Sequence, residues 1–112
     1  MKHKTQGTDL TQADFESALS HLGEGGNTIL DGVVAVDPPS IAAGAVGTAT
    51  AAIANLLTTH RIIVLCQDAA FENGLVPIAA YCADNGTLSI RISNWTAGAI
   101  DGASRNWAYF AF

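Results

Sequence analysis

The sequence predicts a mostly β domain, an antiparallel sandwich or jelly roll entered through one short amphipathic helix. Three observations carry that expectation. The apolar residues change period from helical to alternating near residue 25. Turn chemistry then recurs between short apolar runs. An Asn85-Gly86 pair flanked by two such runs marks a hairpin.

The helix is expected over residues 11–22, within an N-terminal arm of residues 1–25. Leu10, Ala13, Phe15, Ala18, Leu19 and Leu22 recur at helical spacing. Thr11 can serve as N-cap with Asp14 three residues on, while Leu10 and Phe15 can form a hydrophobic staple. Gly23 suits the left-handed stop. A three-turn helix is marginal alone in water, so its apolar face, with Leu10, Phe15, Leu19 and Leu22, must dock on something.

The β domain is expected over residues 26–112. A first strand runs over 29–36, where Asp31-Gly32 offers a turn or bulge, and Asp37-Pro38-Pro39-Ser40 ends it because proline cannot donate to a ladder. A second runs over 45–54, with Val46, Thr48, Thr50 and Ala52 on one face and Ala49, Ala51 and Ile53 on the other. Residues 61–66 form a continuous apolar run, which reads as a central buried strand. The hairpin joins residues 76–82 to 87–93 through Asn85-Gly86, expected as a type I′ turn. On its second arm Leu88, Ile90 and Ile92 face inward and Ser89, Arg91 and Ser93 outward. In the last strand, 106–112, Trp107 and Tyr109 oppose Ala108, Phe110 and Phe112, so both faces are apolar.

Charge and composition limit the partners. At 112 residues the chain fits one domain, with 49% hydrophobic and 13% charged residues and a formal net charge of −5. Typical domains carry about 25% charged residues, so this surface is short of charge and self-association is expected. The five basic residues are scattered, and phosphate-backbone binding needs several on one face, so nucleic acid is not an expected partner. The uncharged stretch 41–57 is dominated by Gly, Ala, Thr and Asn and is at the short limit for a bilayer. It reads as a strand with turns, and no membrane partner is expected. Met1-Lys2-His3-Lys4 is followed by polar residues where a signal peptide has its apolar stretch.

The search for chemistry finds no site. His3, His21 and His60 are scattered and read as surface histidines. No nucleophile elbow, zinc-binding helix or phosphate loop is present. Asp31, Asp37, Asp68, Asp84 and Asp101 read as turn residues that cap their own backbone. Cys66 and Cys82 fit no metal-ligand spacing and read as reduced core residues, a disulfide between neighbouring strands being the alternative. We therefore expect no enzyme, no cofactor and no metal. Trp95, just past a strand end, reads as a cap on the sandwich core, the other reading being that Asn94 and Trp95 form a candidate binding surface for a sugar or partner. Asn85-Gly86-Thr87 and Asn94-Trp95-Thr96 match the glycosylation acceptor pattern.

From Gly32 onward the chain resembles a family of small phage and prophage virion proteins. The resemblance lies in Asp37-Pro38-Pro39-Ser40-Ile41-Ala42-Ala43-Gly44, Gly47-Thr48-Ala49-Thr50, Arg61-Ile62-Ile63-Val64 and Gly74-Leu75-Val76-Pro77-Ile78. It continues through Asn85-Gly86-Thr87-Leu88-Ser89-Ile90-Arg91-Ile92-Ser93-Asn94 and the run from Thr96 to Trp107. The chain departs from the family at Thr58-Thr59-His60, where related chains often carry a Gly-Asp turn. The resemblance implies a jelly-roll subunit that forms homotrimers and sits on the particle as a head decoration or fibre, made in the host cytoplasm and located in the virion. Its partners are then copies of itself and the major capsid protein or other virion proteins. Trp107, Phe110 and Phe112 are the expected threefold contacts, because an apolar strand has two faces to cover. The helix lies outside the resemblance, and it is expected either to dock on the body or to anchor to the particle.

Overall fold

A computed structural model describes residues 27–112. They form eight strands: β1 (Leu30–Val36), β2 (Ser40–Ile41), β3 (Val46–Ala52), β4 (Ile62–Cys66), β5 (Leu75–Asp84), β6 (Thr87–Asn94), β7 (Ile100–Asp101) and β8 (Arg105–Ala111). All pairings are antiparallel. The expected helix over 11–22 and the arm that contains it lie outside the described residues.

The strands make two three-stranded sheets, β1-β8-β4 and β3-β6-β5, and a two-stranded ribbon, β2-β7. Three pairs are nested: β1 with β8, β2 with β7, β3 with β6. The inner faces share one core, built on Trp107 and Ala111 from β8, Leu88, Ile90 and Ile92 from β6, and Val36, Ile41 and Ala49 from β1, β2 and β3. Phe71, from the β4–β5 loop, packs edge-on against Trp107 with ring centroids 5.3 Å apart. Alternation places these residues: period-2 strands send every second side chain inward.

The expected faces of β3 and β6 hold, with one exception. Ser89 points away from Leu88 and Ile90 but is buried, because β6 is the central strand of its sheet and Ser89 sits between Thr50 and Tyr81. Residues 41–57 are strand and turn, and among the described residues no helix is long and apolar enough to cross a membrane. Asp31-Gly32 does not interrupt β1, which pairs with β8 along its whole length. Gly32 leaves space for the Tyr109 ring opposite, since a Cβ there would come within 2.9 Å of the phenol oxygen.

Four local expectations are corrected. First, the hairpin turn has positive φ at Gly86 (87°) and not at Asn85, so it has the φ pattern of type II, not of I′. The loop after β3 grips this turn. Gly86 N–H donates to Leu56 O at 2.7 Å, Ile53 N–H to Gly86 O at 2.9 Å, and Thr58 N–H to the Asn85 side-chain oxygen at 3.0 Å. Second, β4 is not a central buried strand. It is an edge strand, with Ile63 and Leu65 turned away from the core.

Third, His60 is buried, not on the surface. It replaces the expected Gly-Asp turn with a turn of its own. Its backbone N–H donates to Leu57 O (3.0 Å), its Nδ1 accepts from Leu57 N–H (2.9 Å), and its Nε2 donates to Thr28 O (2.6 Å). Fourth, of the five aspartates, Asp68 does cap its own backbone, accepting from Ala70 N–H at 2.9 Å, whereas Asp31, Asp84 and Asp101 lie on strands. Both cysteines are free, Cys82 buried and Cys66 half-buried.

Candidate functional site

The functional surface is assembled by register. On the outer face of β1-β8-β4, pairing sets three cross-strand rows: Asp31, Phe110 and Ile63; Val33, Ala108 and Leu65; Ala35 and Asn106, with Gln67 beyond the end of β4. Side chains opposite one another on neighbouring strands stand within contact range, so each row is continuous across the sheet. Two of the three rows are apolar but for Asp31. Leu65 is 68% exposed and Ile63 55% exposed, with Val33 and Phe110 also exposed. Phe112 extends the patch, its ring 5.4 Å from that of Phe110 and under the Arg61 guanidinium at 5.7 Å. A contiguous apolar face of this kind marks an interaction site, where scattered apolar residues would not.

This face takes in two of the three aromatic residues expected to contact a neighbouring subunit and excludes the third. Phe110 and Phe112 belong to it. Trp107 does not: it is 1% exposed, lies on the opposite face of β8 and fills the protomer's own core. The correction follows from alternation, because Trp107 and Phe110 are an odd number of residues apart and so face opposite ways. Ile63, Leu65 and Val33 are the residues the sequence reading missed. The signal for Ile63 and Leu65 was the run 62–66, apolar at outward as well as inward positions, and that for Val33 was the run Val33-Val34-Ala35-Val36.

A second exposed feature stands at one end of the molecule. Trp95 is 76% exposed and does not cap the core. Asn94, its expected partner in a binding surface, is buried with its amide fully engaged. Its Nδ2 donates to Ile41 O (2.8 Å) and Gly98 O (2.9 Å), and its Oδ1 accepts from Thr96 N–H (2.9 Å). The Thr96 hydroxyl lies 2.7 Å from that oxygen and 2.8 Å from Gly98 O. Asn94 therefore ties its own loop, residues 94–98, to the segment at Ile41 and has no amide nitrogen to offer a glycan. Trp95 N–H donates to Gly74 O at 2.9 Å. Gly74 has φ of 92°, and a Cβ there would overlap Thr96 Cγ2, so both conformation and space require glycine.

A small ionic cluster ties the β4–β5 loop to β8. Arg105 donates to Glu72 at 3.0 Å and lies 3.5 Å from Asp68, while Ala103 N–H donates to Glu72 at 3.1 Å. The hydrogen bond from Arg105, then that from Ala103, holds the Glu72 carboxyl below its ordinary range. Both acids face a cation, an arrangement that fastens a loop and offers no free acid–base pair. Among the described residues no group of three His, Cys, Asp or Glu is placed to hold a metal ion. His3, His21 and the helix residues Leu10, Phe15, Leu19 and Leu22 lie outside the described residues. Compared with known proteins, the chain matches no family model, no curated protein and no solved structure at a significant level.

Proposed function

We propose that this chain is a structural subunit of a phage particle, a capsid decoration or fibre protein of jelly-roll type that works as a homotrimer. The observation that carries the proposal is the outer face of β1-β8-β4, where Ile63, Leu65, Val33 and Phe110 stand in solvent on a single protomer. Burying such a face is worth roughly 25 cal/mol per Å² of apolar surface removed from water. A chain with so few charges gains more from covering that face with copies of itself than from leaving it wet. The nested strand pairs support the jelly-roll reading, since such a fold winds from an antiparallel double ribbon. The resemblance to small virion proteins supplies the setting, with the particle's capsid or other virion proteins as partners. A decoration protein acts by shape and stability, so no catalytic group or cofactor is called for.

The test is the molar mass of the purified protein by light scattering coupled to size exclusion, over a dilution series. A mass of three times 11.5 kDa that persists on dilution is expected. A stable mass of 11.5 kDa overturns the trimer, and a stable mass of twice that value overturns the threefold arrangement. The second reading, a carbohydrate- or receptor-binding module, has the exposure of Trp95 in its favour. Against it, Asn94 is consumed inside the fold. Glycan-array binding that Trp95→Ala abolishes would promote it.

A further inference from the structure

Two ends of the sandwich can be told apart by their hydrogen bonds. At one end Thr28 O accepts from His60, and the Leu56 carbonyl accepts from Gly86 at the hairpin tip, so the start of β1 and the start of β6 lie together. At the other end β1 finishes opposite Arg105, and β6 finishes at Asn94, which is tied to Ile41 and Gly98. Trp95 stands at this second end, away from the point where residues 1–26 join the body.

The chain fixes Trp95 there at considerable structural cost. A buried asparagine, a threonine hydroxyl, a glycine with positive φ and the Trp95 N–H itself all serve to hold residues 94–98 in one conformation. The indole they present is not covered by its own protomer. A large, rigid aromatic side chain held ready in solvent loses little conformational freedom on binding, which is the property of an interface anchor.

The surroundings identify the kind of partner. Ala42-Ala43-Gly44 and Ala97-Gly98-Ala99, in the segments that border the loop, are exposed, small and uncharged. Asn94 and Thr96, on either side of Trp95, spend their polar atoms inside the loop, which leaves Asn73 as the exposed polar side chain in the third bordering segment. Glu72 is paired with Arg105. A sugar is read by several fixed polar groups around a stacking ring, and a nucleic acid by positive charge. This tip offers neither. It offers a knob with low shoulders, a shape that lets another surface close around the indole.

We propose that Trp95 is the anchor by which this end of the subunit docks onto a protein surface carrying an apolar, uncharged recess of indole size, and that this surface belongs to the particle's shell. The second clause rests on the virion reading above. The test is co-sedimentation of the full-length protein with capsids of the encoding phage assembled without it, comparing wild type, Trp95→Phe and Trp95→Ala.

Trp95→Ala is expected to weaken capsid binding by about 30-fold or more, and Trp95→Phe to weaken it less, with molar mass and circular dichroism of both unchanged. Binding of Trp95→Ala at wild-type strength overturns the anchor and leaves the virion reading standing. Failure of wild type itself to bind overturns both. A change of molar mass or fold in both variants makes Trp95 a structural residue and also overturns the anchor. Wild-type binding to a glycan array that Trp95→Ala abolishes replaces the protein recess with a sugar.

Discussion

Across the middle of the β1-β8-β4 sheet, the outward row reads Val33, Ala108, Leu65; across the β3-β6-β5 sheet, one outward row reads Thr48, Arg91, Ala79 and the next Thr50, Ser89, Tyr81. The two sheets share a core and have the same strand number and pairing sense. Yet the middle of the first back is wholly apolar, whereas the second sets Thr48, Thr50 and Arg91 among its exposed Val46, Val76, Ile78 and Tyr81. Each back was written by the same alternation, so the difference lies wholly in the residues set at outward positions. An antiparallel sheet ordinarily shows polar residues there. Where apolar ones appear instead, as at Ile63 and Leu65, the protomer leaves them in solvent, and the proposed trimer would cover them.

The edges differ in the same way. β5 carries Pro77 and two register shifts, devices that discourage another strand from adding to it. β4, Ile62–Cys66, has no proline, no charge and no shift in its pairing. The proposed interface therefore falls on the sheet whose edge strand β4 lacks these devices.

The strongest way to break this contrast is to charge each back in turn. Ile63→Lys with Leu65→Glu is expected to reduce the molar mass to that of a single chain while the far-ultraviolet circular dichroism is kept. Thr48→Glu with Thr50→Lys should leave the oligomer intact. A second back that proved as sensitive as the first would refute the assignment of the interface. The inner faces should respond alike, which sharpens the point. Trp107→Ala from one sheet is expected to cost about 3–5 kcal/mol and Ile90→Ala from the other about 2–5 kcal/mol, read from urea unfolding.

A smaller effect is expected at the Trp95 end. Asn94→Ala removes the bonds to Ile41, Thr96 and Gly98 and should cost about 1–3 kcal/mol, with faster amide exchange at Thr96. Smallest is the acid response of the Glu72 cluster. Because its carboxyl sits below the ordinary range in the folded protein, the stability it contributes is present above that range and is lost as pH falls below it through the lowered folded-state value. Glu72→Gln should flatten that part of the pH–stability curve and leave neutral pH little changed.

The strands were legible because their apolar residues alternate and their turns carry Pro, Gly and Asn. The features that escaped reading are those decided by distant residues. His60 looks like an exposed loop residue until Thr28 and Leu57 are brought to its two ring nitrogens. Asn85-Gly86 has the pair for a type I′ turn, and the loop after β3 holds it in another shape. The run at β4 is equally apolar on both faces, and periodicity has no means of saying which face its own chain covers. Asn94 left a readable trace, since Asn followed two residues later by Thr is a common side-chain-to-backbone turn. That trace pointed to a surface loop, and its burial depends on Ile41, far away in sequence. The same burial takes Asn94-Trp95-Thr96 out of consideration as a glycan acceptor in the folded state.

β8 lies between β1 and β4 although it follows both in the chain. A ribosome extending the chain at about 5–20 residues per second therefore releases β1 and then β4 seconds before the strand that joins them. Until β8 arrives, Val33 and Leu65 belong to separate segments and the apolar back does not exist. The surface by which subunits would recognise one another is in this way withheld from nascent chains on the same message. In the proposed trimer, contact through this face would begin only between subunits that have already threaded their central strand.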